Sequence, residues 1–94
     1  MSLAKKAIRN AFRAACLSRD GFKCRVCGGR EPLDVHHIID RSDAPGGGYT
    51  ADNGITLCRP CHLLAERPHR GLPAAAGYAV DDLRRLVASP DGKE

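Results

Sequence analysis

Ninety-four residues are enough for one small domain, and a chain of this size buries only a modest fraction of its unfolded surface. With no Trp, two Phe, two Tyr and ten Gly against 43% hydrophobic residues, the core is thin, and a metal or disulfides are expected to supplement it. The net charge of +4 is uneven: residues 1–30 hold eight basic side chains and one acid, residues 31–62 two and five, and residues 63–94 five of each. That front-loaded cationic charge suits a polyanion such as nucleic acid. No stretch approaches the roughly 20 apolar residues of a membrane span, and the Lys-rich, Ala-rich start lacks the apolar run of a signal peptide, so a cytoplasmic protein with no membrane partner is expected. In a reducing compartment five cysteines fit a four-ligand metal site with one left over better than a disulfide framework.

In chain order, residues 4–19 read as a helix, with Ala4, Ile8, Phe12 and Ala15/Cys16 on a packing face and Lys5, Arg9 and Arg13 on a cationic one. Asp20-Gly21 ends it. "FKCRVCGG" (22–29) is a tight loop presenting two sulfurs, and "LDVHHIID" (33–40) reads as a strand. Residues 41–54 are loop by composition, "ITL" (55–57) is a second short strand, and a helix starting near Pro60 ends before Pro68. "LPAAAGYA" is an irregular connection, residues 80–88 form a short amphipathic helix, and the final "SPDGKE" is frayed.

Cys24, Cys27, Cys58 and Cys61 form C-x2-C-x30-C-x2-C. Two residues between cysteines let both thiolates of a turn reach one tetrahedral ion, so two such turns make a structural Zn2+ site. The intervening 30 residues exceed the roughly 15 to 20 of the simplest pattern and must form their own structure and return. Cys16, on the apolar face of the first helix, reads as a free buried thiol. With four sulfurs closing the zinc site, His62 is surplus to it. His36, His37 and His62 by themselves admit two readings: ligands of a second metal, or histidines that fill polar corners and support the zinc cysteines by hydrogen bonds.

"CRVCGG", "LDVHHII", a glycine-bearing loop and "NGITLCRPCH", in that order, closely resemble the HNH endonucleases, in the subgroup with two C-x-x-C pairs. The resemblance covers about residues 20–66 and aligns the signature His, Asn and His with His37, Asn53 and His62. It implies an α+β, zinc-stabilised, treble-clef-like ββα-metal domain: a strand hairpin, a helix packed on it and one divalent ion between them. Residues 1–94 would then be a single nuclease domain with a basic helix in front and a short helix behind.

The resemblance further implies phosphodiester hydrolysis, with His36 and His62 as ligands of the catalytic ion and His37 as general base, a task suited to an imidazole near neutral pH. Asn53 would tie the loop back to the histidine strand, although "DNG" is also a good turn sequence. Because successive strand residues point to opposite faces, His36 and His37 could share one ion only if the strand twists or ends there. Glu66, four residues after His62, shares its helix face and is a third-ligand candidate, or else a solvated residue. Asp40 is also near the site in sequence. Imidazole and oxygen ligands accept Mg2+, Mn2+, Ni2+ or Zn2+.

Arg41 and Arg59 are placed to meet phosphate, and Lys5, Arg9 and Arg13 to track a nucleic-acid backbone with little sequence preference. Few aromatics are available to stack on bases, only Tyr49 being near the loop, which favours double-stranded DNA. Two functions from different classes follow: a metal-dependent DNA endonuclease of low intrinsic specificity, whose target choice falls to a partner protein or a homodimer, or a zinc-binding nucleic-acid module without catalysis.

Overall fold

The computed structural model describes residues 3–40 and 42–88; Arg41 and the "SPDGKE" end lie outside the described residues. Among these, helix α1 (Leu3–Arg19) leads into strand β1 (Leu33–His37), strand β2 (Gly54–Cys58), helix α2 (Arg59–Ala65) and helix α3 (Val80–Ala88). The result is a small α+β domain with three helices and one two-stranded antiparallel sheet, as a ββα fold requires. Ala, Leu, Lys and Arg, all strong helix formers, fill much of α1, and no Gly or Pro interrupts it.

The sheet register pairs Leu33 with Cys58, Val35 with Thr56, His36 with Ile55 and His37 with Gly54. Alternation along β2 sends Ile55 and Leu57 into a core with Ile38, Ala65 and Leu83, while Gly54 faces α1. A side chain at Gly54 would collide with Cys16 Sγ and the Phe12 ring, at 2.5 and 2.6 Å, so helix and strand meet at a distance only glycine permits. Every residue of β2 is buried.

Several expected boundaries shift. β1 stops at His37 rather than residue 40, because past it the Asn53 side chain, not a strand backbone, satisfies Ile39. β2 gains Gly54 and Cys58. The loop between the strands contains two short 3-10 turns, Pro45–Gly48 and Ala51–Asn53. Helix α2 begins at Arg59, which is therefore its first residue and does not precede it. Of the apolar face expected on α1, Phe12 and Cys16 are buried, whereas Ile8 is 50% exposed and Ala15 is exposed. The sheet is too short to lie under the whole helix.

A charged cluster that local sequence did not announce fastens these layers. The Asp20 carboxylate has no solvent exposure and accepts from Arg19 Nε and Nη2 at 2.7 and 2.8 Å, from the Thr56 N–H at 2.9 Å, and from Arg25. Arg19 also donates to the Ala51 and Gly54 carbonyls, and Arg25 to that of Leu86 in α3. Burial alone would raise the Asp20 pKa, but the bonds from Arg19, Thr56 and Arg25 outweigh it and hold the carboxyl below its ordinary value. Asp20→Ala strands two guanidiniums and is expected to cost about 3–5 kcal/mol, measured by urea unfolding of the zinc-loaded protein. A loss within about 0.5 kcal/mol, the range of ordinary surface changes, would refute that role.

Candidate functional site

Two clusters of metal-ligating side chains occur among the described residues. In the first, the sulfurs of Cys24, Cys27, Cys58 and Cys61 all lie within 4.8 Å of one another, so the cluster can hold zinc. Cys58 closes β2 and Cys61 sits in the first turn of α2, placing both opposite the Cys24/Cys27 turn. Backbone N–H groups of Cys27 and Gly29 point at Cys24 and Cys27 sulfur, each at 3.4 Å. The Tyr78 hydroxyl donates to Cys61 Sγ at 3.1 Å. Burial raises the Cys24 thiol, but N–H groups from Cys27, Cys58 and Val26 bring it down to about 7. Burial pushes Cys61 up to about 12. Thiols this close cannot all ionise without a cation among them. The fifth cysteine, Cys16, is buried and outside this cluster.

The second cluster is His36, His62 and Glu66, again with one ligating atom from each within 4.8 Å of the others. His36 faces α2 because it pairs with Ile55, whose side chain points the same way. Glu66 caps α2 just beyond its last residue, yet its N–H still bonds the His62 carbonyl at 3.0 Å, so the one-turn spacing holds. Its Oε2 lies 3.1 Å from His62 Nε2 and 3.5 Å from His36 Nδ1. On the other side of the His62 ring, Nδ1 is 3.4 Å from Asp34 Oδ2. Both His36 ring nitrogens are buried without a hydrogen-bond partner. Burial, reinforced by His62, His69 and His37, pushes the His36 pKa down to about 3, which keeps the ring neutral with a lone pair to give.

His37 takes the opposite side. Its ring stacks on Phe12 of α1 at 4.7 Å and meets Tyr49 edge-on at 5.1 Å. The strand ends at His37, one of the two outcomes expected there, yet the register stays regular up to that residue and of the two histidines only His36 joins the cluster. An open cleft of about 370 Å³ nevertheless brings His37 to the same surface as His62 and Glu66, and is lined also by Val35, Asp40 and His69, with His36 buried behind it.

Asn53 spans the loop and the end of the histidine strand. Its Oδ1 accepts from Ile39 N–H at 2.9 Å, while Nδ2 donates to the carbonyls of Ile39 and Gly48 at 3.1 and 3.2 Å. Gly48 has φ +74, and a Cβ there would lie 2.5 Å from Asn53 Nδ2, so both the turn and the approach call for glycine. Lys5, Arg9, Arg13 and Arg59 are exposed. Motif reasoning passed over Asp34 and His69, neighbours of this cluster. Asp34 precedes His36 by two strand residues and so shares its face, a signal that was available; His69 is delivered by a later turn and left none.

No helix among the described residues is long and apolar enough to cross a membrane. Neither the curated proteins nor the solved structures contain a match to the chain. Residues 24–67 match a family model described as HNH endonuclease, a stretch that opens at Cys24, closes one residue past Glu66 and contains both ligand clusters. The domain on residues 24–67 thus belongs to the HNH endonuclease family, and its four cysteines fit the zinc-binding subgroup.

Proposed function

We propose that this protein is a metal-dependent DNA endonuclease in which His36, His62 and Glu66 hold one divalent ion and His37 is the general base. The observation that carries the reading is His36: each unsatisfied nitrogen of this buried imidazole costs about 1–3 kcal/mol, and a cation taking the lone pair removes that cost for the nitrogen that bears it. The neighbouring imidazole and carboxylate are a donor set that divalent ions accept. Nδ1–H of His62 can turn to Asp34, freeing Nε2 as the ligating atom, the usual carboxylate support for a metal histidine. When bound, the ion supplies Lewis-acid stabilisation of the charge that develops on the phosphate and the leaving oxygen.

His37 would take the proton of an attacking water at the cleft surface, its ring held in place by Phe12 and Tyr49. Asn53, by fixing Ile39, restrains the backbone just beyond the base. Arg59 would meet phosphate, and Lys5, Arg9 and Arg13 the backbone of double-stranded DNA.

The test is nicking of supercoiled plasmid by zinc-loaded protein with Mg2+, Mn2+, Ni2+ or Zn2+ added in turn. Cleavage restored by a particular ion supports the reading; a folded, zinc-loaded protein that binds DNA but cuts it with none of them is a binding module.

The cationic face of α1 makes a separate prediction. If Lys5, Arg9 and Arg13 each neutralise one phosphate, a fourfold rise in salt weakens duplex binding about 40-fold. Fluorescence anisotropy with the His37→Ala variant, free of cleavage, reads this slope. Replacing all three by alanine is expected to flatten it, and an unaltered slope would remove α1 from the interface.

A further inference from the structure

The fourth histidine belongs to no motif, yet it touches two of the other three. His69 stacks on His36 with ring centroids 5.1 Å apart and planes 20° from parallel. Its Nε2 lies 2.9 Å from the carbonyl oxygen of His37. A carbonyl only accepts, so Nε2 carries the hydrogen and the tautomer is set by the contact. The turn that presents it is built for the purpose. Pro68 starts a 3-10 turn (Pro68–Arg70), Gly71 closes it at φ +78, and Arg67 Nε donates to the Pro73 carbonyl at 2.9 Å, stapling the two ends of the segment.

We propose that His69 is a positioning residue that sets the divergence of the two adjacent histidines. Its ring covers one face of His36, fixing that ring's plane toward His62 and Glu66. Its N–H holds the carbonyl side of the His37–Ile38 peptide where β1 ends, while the N–H side of the same peptide bonds the Asn53 carbonyl at 2.9 Å. One side chain thereby ties the ion-facing residue to the residue that receives the proton. The proposal rests on the nuclease reading above for its catalytic consequence and on geometry alone for the placement.

The experiment compares zinc-loaded wild type with His69→Ala, His69→Gln, which keeps an N–H donor and loses the ring, and His69→Phe, which keeps the ring and loses the donor. Nitrogen NMR of the wild-type imidazoles at about pH 8, where an ordinary imidazole is neutral, is expected to show His69 as the Nε2–H tautomer; the Nδ1–H tautomer would overturn the placement. In titrations with Ni2+, His69→Ala is expected to bind the second ion about 10–100-fold more weakly, as loss of a ligand's supporting partner does elsewhere. Plasmid cleavage at saturating ion is expected to lose kcat over a similar range with KM for DNA nearly unchanged. His69→Phe should restore ion affinity more than His69→Gln. A folded His69→Ala protein with wild-type ion affinity and kcat would overturn the proposal. A wild type that binds the ion but cuts nothing would instead sink the nuclease reading, and the tautomer and ion affinity would still decide the role of His69.

Discussion

A zinc-loaded His37→Ala protein is expected to fold, bind duplex DNA and lose cleavage by about 10²–10⁴-fold, the usual contribution of a general base. Two features make the experiment discriminating. His37 stands outside both metal clusters, so its loss leaves each donor set intact. Its ring contacts Phe12 and Tyr49, so alanine also removes packing, of the order of 0.5–1.5 kcal/mol per aromatic pair. His37→Phe separates the two effects, because it keeps a ring against Phe12 without a nitrogen to take a proton. Equal inactivity of both variants, with melting close to wild type for the phenylalanine, assigns the loss to chemistry. Full activity in either one would remove His37 from the mechanism.

Cys58→Ser is expected to do the opposite and abolish folding. Structural zinc contributes about 10–16 kcal/mol of apparent binding free energy in small peptides at neutral pH, comparable with or larger than the whole stability of an ordinary domain, about 5–15 kcal/mol. Here the leverage is geometric as well. Cys58 ends β2 and Cys61 opens α2, so an ion shared with Cys24 and Cys27 sets the angle at which α2 leaves the sheet. That angle places His62 and Glu66 against His36. Circular dichroism, with zinc counted by a chromogenic chelator, is expected to show an unfolded, zinc-poor variant. A stable Cys58→Ser protein retaining one zinc per chain would mean that the four sulfurs are not the structural site.

The contrast between these variants follows what the sequence made legible. C-x2-C spacing and the one-turn separation of His62 and Glu66 are matters of local geometry, and both groupings are visible before any tertiary structure is known. The alternation of a strand likewise foretells that His36 and His37 diverge, and it was the demand that they share an ion that pointed elsewhere. The buried Asp20 cluster was not legible. Its partners, Thr56 and, through Arg25, Leu86, are 36 and 61 residues away from Asp20 and Arg25 respectively, and "RDG" looks like an ordinary helix end. His69 was hidden for the same reason, since its partner His37 is 32 residues distant. The exposure of Ile8 was invisible because periodicity describes a helix and not the length of the sheet beneath it.

The stacking of Phe12 under His37 has a practical consequence. The stretch that matches the family, residues 24–67, leaves out α1, Tyr78 and Leu83. Excised at those limits, it would lose the aromatic floor of one histidine, the hydroxyl on Cys61 and the side chain that seals the core. The smallest unit fit for assay is therefore larger than the stretch that identifies it, and a shortened chain should begin no later than Lys5 and end no earlier than Val87.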